Sequence, residues 1–356
     1  MTARKLRVGV VGVGWAGQQH LAAFARIDSV ELVALAGMET VRVAELAERY
    51  GIPATHARWE DMLEAGGLDA VSIAVPTYLH APIAIAALDR GIHVLTEKPI
   101  AGNTEQARAM VSAAQRAGRV LQVVFNHRER GDITELRRII DRGELGTAYA
   151  AKAGWLRRKG IPGDGSWFTN RERAGGGPLI DLGVHVLDYA LYLLGEPEVV
   201  SVSASTYAEL GSRGRGGRTA DSIGASFEVE DLALAFIRLA GGGTLVLETS
   251  WAAYRADNDE FWMTLYGTEG GAELRVVDYA EPGDLHIYRD LDGVPADYRA
   301  KPGANGGHDV VVRRFVDAVQ SGPETWQQHD GTLGLRRAQV IDACYRSAAE
   351  KREVVL

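Results

Sequence analysis

The chain has 356 residues, a length that exceeds most single domains and predicts two. Hydrophobic residues make up 46% of it and charged residues 24%, the balance of a globular protein with a large core. A net charge of −8 argues against nucleic acid as the main partner, and no apolar run approaches the roughly 20 residues of a membrane span. A single cysteine, Cys344, suits a reducing compartment, so we expect a cytoplasmic protein.

Short aliphatic runs alternate with helical stretches over residues 6–125. Strands are predicted at "LRVGVVG", "VELVALA", "DAVSIAVP", "HVLTEKP" and "VLQVVFN", with helices near 17–27, 40–50, from 80 onward and 104–117. Strands that are apolar on both faces and alternate with helices indicate a parallel sheet covered on both sides. Residues 1–127 are therefore predicted to form a doubly wound α/β domain.

The pattern changes in residues 128–356, which are predicted to form a second α/β domain. A helix over 133–142 and a strand over 147–155 precede an apolar helix over 175–195. The strand-like runs that follow are "EVVSVSAST", "IGASFEV", "LALAFIRLA", "GTLVLETSW", "FWMTLYG" and "AELRVV". Their short turns predict a largely antiparallel sheet, and two helices follow it.

The first predicted strand leads into the glycine loop "VGVGWAG". Gly12, Gly14 and Gly17 form a G-x-G-x-x-G motif that encloses Trp15 and Ala16 and opens a helix. The first glycine permits the tight turn, the second lets the backbone approach a pyrophosphate, and the third lets helix pack on strand. We expect a dinucleotide site, with a purely structural turn as the alternative.

The end of the second predicted strand bears on the choice of dinucleotide. Gly37 stands where an acidic residue usually binds the adenosine ribose, and Glu39 follows two residues later. Glu39 either reaches the ribose diol or is a plain acid at a helix start. No arginine occupies positions 37–39 to meet a 2′-phosphate, so the sequence favours NAD over NADP.

Three polar residues interrupt the apolar helix "GGGPLIDLGVHVLDYALYLLG". Asp181, His185 and Asp188 are four and three residues apart, which places them on one helix face. Histidine is a suitable base near neutral pH, and Asp181 one turn earlier can orient its ring. A satisfied buried hydrogen bond is the alternative for this pair, and for Asp188 a structural role is favoured. The glycines at 175–177 are expected to let substrate approach.

Further candidates follow the third and fourth predicted strands, at the sheet edge where such folds bind ligands. Pro76, Thr77 and His80 lie near the expected cofactor, although Thr77 could cap a helix and His80 could only pack. Lys98 can stabilise negative charge on a reacting oxygen, with a surface salt bridge as the alternative.

The remaining candidates lie around and beyond residue 127. We expect Asn126 and Arg128 to contact substrate, with a hinge or an interdomain hydrogen bond as the alternative. Trp167 and Phe168 offer flat apolar faces for a sugar, and Arg157 offers donors, with interface salt bridges as its alternative. No Cys or His cluster has metal-ligand spacing, so no metal is expected.

The glycine loop, Glu97-Lys98-Pro99 and "GGGPLIDLGVH" together resemble the Gfo/Idh/MocA family of oxidoreductases across essentially the whole chain. The resemblance implies an N-terminal Rossmann domain and a C-terminal domain with an open, mostly antiparallel sheet that binds substrate and forms homodimers or homotetramers. It also implies that Lys98 points into the substrate site, that Glu97 lies near the nicotinamide ribose, and that Asp181 and His185 complete the catalytic group.

The expected activity is hydride transfer between NAD or NADP and a sugar, cyclic polyol or keto-sugar. The hydroxyl proton must leave as the hydride does, which requires a base and a group that stabilises the oxygen. Lys98 and His185 are both candidates for the base. A glycosidase that oxidises its substrate transiently with tightly bound NAD is one alternative, and a dinucleotide- or sugar-sensing regulator is another.

Overall fold

The computed structural model describes residues 4–163, 166–217 and 227–356. The predicted strand run "IGASFEV" begins outside the described residues, and its last three residues are not in a strand. In chain order, the elements of residues 4–126 are β1 (Leu6–Val11), α1 (Trp15–Phe24), β2 (Val30–Ala36), α2 (Thr40–Tyr50), β3 (Ala54–His56), α3 (Trp59–Ala65), β4 (Ala70–Ile73), α4 (His80–Leu88), β5 (His93–Thr96), α5 (Thr104–Ala117) and β6 (Leu121–Val123).

The elements after residue 126 continue the numbering. They are α6 (Gly131–Asp141), β7 (Ala148–Arg157), α7 (Arg171–Ala174), α8 (Pro178–Asp181), α9 (Gly183–Leu193), β8 (Val199–Tyr207), β9 (Leu232–Leu239), β10 (Thr244–Ser250), β11 (Asp259–Gly267), β12 (Gly270–Val277), β13 (Asp284–Leu291), β14 (Val294–Pro295), β15 (Tyr298–Arg299), α10 (Gly307–Gln320), α11 (Pro323–Trp326), α12 (Thr332–Glu350) and β16 (Val354–Val355). Among the described residues, no helix combines the length and apolar character needed to cross a bilayer.

The first sheet has six parallel strands in the order β3-β2-β1-β4-β5-β6. Its central strands are buried on both faces, because helices cover both sides. This is the strand order of a Rossmann fold, and it confirms the predicted doubly wound domain. The prediction missed β3 and α3, since the three residues of β3 are partly exposed and carry no apolar run.

The chain divides into two compact units, and residues 306–338 belong to the first, together with residues up to 126. The apolar face of α10 explains this grouping. Val312, Phe315 and Val316 are buried in the same cluster as Val8 and Phe24. The domain boundary expected at residue 127 stays a prediction. Residues 306–338 pack against the unit that contains the glycine loop.

The second unit contains residues 127–305 and 339–356 and is built on a ten-stranded sheet. Its main path is β14-β13-β12-β11-β7-β10-β9-β8-β16, with β15 paired to β13. Only β7 and β10 pair in parallel among these described strands, which confirms the mostly antiparallel prediction.

The prediction of a single helix over residues 175–195 is wrong, because the helix is interrupted at Leu182, which separates α8 from α9. The Leu182 N–H still donates to the carbonyl four residues back, but the His185 N–H donates to Leu182, only three back. Asp181 therefore ends one short helix, and His185 lies in the first turn of the next.

The glycines before α8 serve packing in this structure. A Cβ at Gly176 would lie 1.9 Å from the Tyr345 hydroxyl, and a Cβ at Gly177 would lie 2.1 Å from the Glu230 carbonyl oxygen. The Glu230 carboxylate also accepts from the Gly177 and Leu179 N–H groups. Close approach of the 227–231 segment and α12 therefore accounts for glycine at 176 and 177.

Candidate functional site

The glycine loop has the geometry that a dinucleotide requires. A Cβ at Gly12, where φ is +105°, would lie 2.0 Å from the Ala74 carbonyl oxygen, and a Cβ at Gly17 would lie 2.1 Å from that of Gly12. Among the atoms of the described residues, none would lie within 4 Å of a Cβ at Gly14. Gly14 also precedes α1 without a side-chain cap. The loop thus leaves backbone N–H groups and open space at a helix N-terminus, which fits a pyrophosphate.

Gly37 packs closely against neighbouring side chains. A Cβ there would lie 3.0 Å from a Val43 methyl carbon and 3.3 Å from those of Val13, so a larger residue would require these side chains to shift by a few tenths of an ångström. Glu39 is exposed directly before α2, and its side chain does not cap that helix. Contact with a ribose stays the prediction for Glu39.

Glu97 lies directly after β5 and is buried against two histidines. Its Oε1 lies 3.0 Å from His20 Nε2 and 3.3 Å from His308 Nε2. Its Oε2 accepts a hydrogen bond from the Lys98 N–H at 3.1 Å. Burial alone would raise the pKa of Glu97, but the two imidazoles outweigh it and hold that pKa well below its usual range.

His80 braces the residue that follows Lys98. Its Nδ1 lies 2.8 Å from the Pro99 carbonyl oxygen, and its Nε2 lies 2.9 Å from that of Val75. Burial lowers the pKa of His80, an effect that the two carbonyls partly offset. The backbone around Lys98 is thus held by Glu97 before it and by His80 after it.

Thr77 is buried in a short 3-10 turn that Pro76 precedes, and no side-chain cap is found there. The N-cap residue of the helix that follows, α4, is Leu79, so the alternative of a helix-capping Thr77 is not what the structure shows.

In the second unit, Asp181 accepts a hydrogen bond from Trp251 Nε1 at 3.0 Å. The Trp251 ring meets Phe168 edge to face, and Phe168 stacks on Trp167 with ring centroids 3.9 Å apart. The two aromatic residues predicted to wall the pocket are thus connected to Asp181 through a buried tryptophan.

His185 belongs to a cluster of aromatic rings. Its ring centroid lies 4.4 Å from that of His127 and 5.6 Å from that of Trp155. Asp259 accepts from both Trp155 Nε1 and Arg157 Nε at 2.7 Å. Arg157 is one of the predicted site residues, whereas no local motif in the sequence marks His127, Trp155 or Asp259.

Tyr279 stands next to Arg157 in an unfavourable backbone conformation. Asp278 and Tyr279 have φ of 48° and 57°, and the Ala280 N–H donates to the Val277 carbonyl across them. Turns of this kind favour glycine at the position of Tyr279. The Tyr279 hydroxyl accepts from Arg157, and burial raises the pKa of Tyr279. Local strain of this kind is often kept where a side chain has a function.

Electrostatics also connect Arg157 with Asp181. Burial lowers the pKa of Arg157, but Tyr279, Asp259 and Asp181 together raise it above its ordinary value. The guanidinium therefore stays charged beside this group.

Asp188 has a structural role, as the sequence favoured. Arg128 donates to its two carboxylate oxygens, from Nε at 2.7 Å and from NH2 at 2.6 Å, and also to Glu196. Asp188 is almost fully buried, so this pair offsets the desolvation of its charge. Contact with substrate, a hinge and an interdomain hydrogen bond all stay predictions for Arg128 and for Asn126, which is half-buried at the end of the first unit.

A Rossmann unit with an open glycine loop is typical of dinucleotide-binding proteins, and comparison with known proteins identifies the class as an oxidoreductase. Residues 6–125 match the family described as "Oxidoreductase family, NAD-binding Rossmann fold", and residues 133–273 match the "GFO/IDH/MocA C-terminal domain". The chain belongs to the Gfo/Idh/MocA family of oxidoreductases.

Relatives with assigned activities cover most of the chain. It is 35% identical to a D-glucoside 3-dehydrogenase from Escherichia coli over 100% of this chain and 99% of that protein. It is 29% identical to a levoglucosan dehydrogenase from Pseudarthrobacter phenanthrenivorans over 82% of this chain and 81% of that protein. A solved levoglucosan dehydrogenase structure, in complex with NADH and levoglucosan, is similar with a TM-score of 0.84 and 25% identity over 99% of both chains.

These findings confirm the predicted family, the fold class and a nicotinamide-dependent oxidoreductase. They favour this activity over a glycosidase or a regulator.

Proposed function

We propose that the protein transfers a hydride between NAD and a secondary hydroxyl of a sugar, with a D-glucoside oxidised at C3 as the first candidate substrate. The observation that carries the proposal is the Lys98 backbone, which Glu97 and His80 hold at the carboxyl edge of the sheet that bears the glycine loop. The 35% identity to D-glucoside 3-dehydrogenase supports the choice of sugar.

The side chains divide the chemistry between them. When bound, the nicotinamide ring supplies the hydride acceptor, or the donor in the reverse direction. Lys98 Nζ donates a hydrogen bond to the reacting oxygen and stabilises its developing negative charge. His185 accepts the hydroxyl proton, because an imidazole has its pKa near neutrality. Asp181 stabilises the protonated imidazole by its negative charge.

The sugar ring is proposed to bind beside four side chains of the second unit, Trp155, Arg157, Asp259 and Tyr279. The half-exposed ring of Tyr279 offers a flat face to C–H groups, and Arg157 and Asp259 offer a donor and acceptors to hydroxyls. Trp167 and Phe168 extend this wall on the side of Asp181.

We propose further that the protein is cytoplasmic and forms a homodimer or homotetramer through its C-terminal sheet. Strand register places Leu234, Phe236, Tyr266 and Tyr288 on the same outward face, each more than a third exposed. A face with several exposed apolar residues is typical of a protein interface. Light scattering tests this directly, since a monomer would contradict it.

The test is a substrate panel read by the absorbance of the reduced nicotinamide. D-glucosides, levoglucosan and myo-inositol are each incubated with NAD and with NADP, and NAD reduction by a D-glucoside is the expected result. Release of a free sugar without net cofactor reduction would indicate the glycosidase instead. Tight dinucleotide binding without turnover of any sugar would indicate a regulator.

A further inference from the structure

A chain of buried polar side chains ends on Glu97. His20 of α1 lies with its Nδ1 2.7 Å from the Ser72 hydroxyl of β4 and its Nε2 3.0 Å from Glu97 Oε1. His308 of α10 approaches the same oxygen at 3.3 Å. His20 is fully buried, and the His308 side chain is only 10% exposed. Two helices far apart in the sequence thus converge on one carboxylate, and β4 contacts the first of their two histidines.

We infer that His20 and His308 are positioning residues that keep Glu97 ionised and oriented, so that its second oxygen fixes the backbone of Lys98. The inference rests on the proposed function, in which Lys98 acts on the substrate oxygen. A buried carboxylate needs compensating donors, and the two imidazoles supply them at Oε1. Oε2 is thereby available to accept the Lys98 N–H.

The position of His308 connects this cluster with the dinucleotide loop. Trp15, the first residue of α1 after Gly14, meets the His308 ring edge to face with centroids 5.3 Å apart. Trp15 is 68% exposed, so the cluster borders the open space beside the glycine loop. His308 therefore lies between Trp15 of the glycine loop and Glu97. A histidine that only filled the core would not need to contact both.

The charged and titratable groups around Glu97 come from each neighbouring element. His20 on α1 and His308 on α10 bond it, His80 on α4 interacts with it electrostatically, and Lys98 follows it in the chain. Removing the His308 donor weakens the effect that lowers the pKa of Glu97, while burial continues to raise it. Protonation of Glu97 would then enter the measurable pH range.

The experiment compares His308→Leu, which removes the donor, with His308→Gln, whose amide restores one. His329→Leu, at a half-buried histidine in the same 306–338 segment, is the matched control. For His308→Leu we expect a fall in kcat of about tenfold or more with the sugar KM within about threefold, and a new acid limb in NADH affinity between about pH 4 and pH 6. His308→Gln should recover most of the loss, and His329→Leu should match the wild type.

A measurement on the protein without cofactor adds a test that needs no turnover. A carboxyl with a lowered folded-state pKa stabilises the fold above its unfolded pKa, and this stability is lost as the pH falls. Below about pH 5 the wild type should therefore lose thermal stability more steeply than His308→Leu.

Several results would overturn the inference. One is that the NADH affinity of His308→Leu depends on pH as that of the wild type does. Another is that His308→Gln is as impaired as His308→Leu. Tight Zn²⁺ binding by the wild type that His308→Leu abolishes would make the two histidines metal ligands instead, since their nitrogens and Glu97 Oε1 lie within 4.8 Å of one another. If no sugar is oxidised but the acid limb appears in NADH affinity, the proposed substrate fails and the role of the histidines stands.

Discussion

Gly14→Ala is expected to weaken NADH binding while leaving the fold intact. The added Cβ would meet no atom of residues 4–163, 166–217 or 227–356 within 4 Å, and φ −66° with ψ −173° is open to alanine. The free energy of unfolding should therefore change by less than about 1 kcal/mol. The methyl group would, however, occupy the space in which the backbone approaches a pyrophosphate. We expect the Kd for NADH to rise about 10- to 100-fold, equivalent to about 1.4–2.8 kcal/mol.

Gly12→Ala should, in contrast to Gly14→Ala, mainly lower the free energy of unfolding. Its Cβ would lie 2.0 Å from a backbone oxygen at φ +105°. Backbone strain of about 1–3 kcal/mol and overpacking of about 1–3 kcal/mol add to about 2–6 kcal/mol of destabilisation. That is a large part of the roughly 5–15 kcal/mol by which a typical domain is stable.

Urea unfolding and the fluorescence titration of NADH measure both effects on the same preparations. Wild-type NADH affinity in Gly14→Ala would refute a dinucleotide at this loop. Equal destabilisation by the two substitutions would refute the assignment of separate tasks to the two glycines.

Three further substitutions test the other assignments. Lys98→Met should lower kcat at least about 100-fold with NADH affinity within a few-fold, and steady-state kinetics that retain substantial turnover would remove Lys98 from the mechanism. Arg128→Met leaves the Asp188 carboxylate buried without its bidentate donor, so urea unfolding should show a loss of about 3–5 kcal/mol that Arg128→Met/Asp188→Leu largely reverses. Tyr279→Gly should relieve the strained turn yet raise the sugar KM more than Tyr279→Phe does, and an unchanged KM in both would exclude this residue from sugar binding.

Local patterns predicted much of the fold. The apolar runs of the parallel sheet and helices such as α2 and α5 match their predicted bounds, because both faces of these strands and one face of these helices are buried. The break at Leu182 was missed, since an apolar run carries no mark of one tighter turn. The grouping of residues 306–338 with the first unit cannot be predicted from periodicity, since packing of α10 against α1 is a tertiary contact.

The candidate site, like the fold, is predicted from the sequence only in part. The spacing of the glycine loop predicts its geometry, because one strand-to-helix turn sets it, whereas the helix break at Leu182 separates Asp181 from His185. His308 and Tyr279 are not among the predicted residues, since each contacts its partners only after elements distant in the sequence pack together. For Tyr279, the signal available was a bulky residue in a turn sequence, "VDYAEPGD", where glycine would be expected.

Isotope transfer tests the central claim most directly. The sugar that reduces the cofactor in the panel is prepared with deuterium at the oxidised carbon, and the dinucleotide is recovered after turnover for mass spectrometry. Hydride transfer predicts reduced dinucleotide that carries one deuterium from the sugar. Consumption of the sugar with no deuterium in the dinucleotide would contradict it.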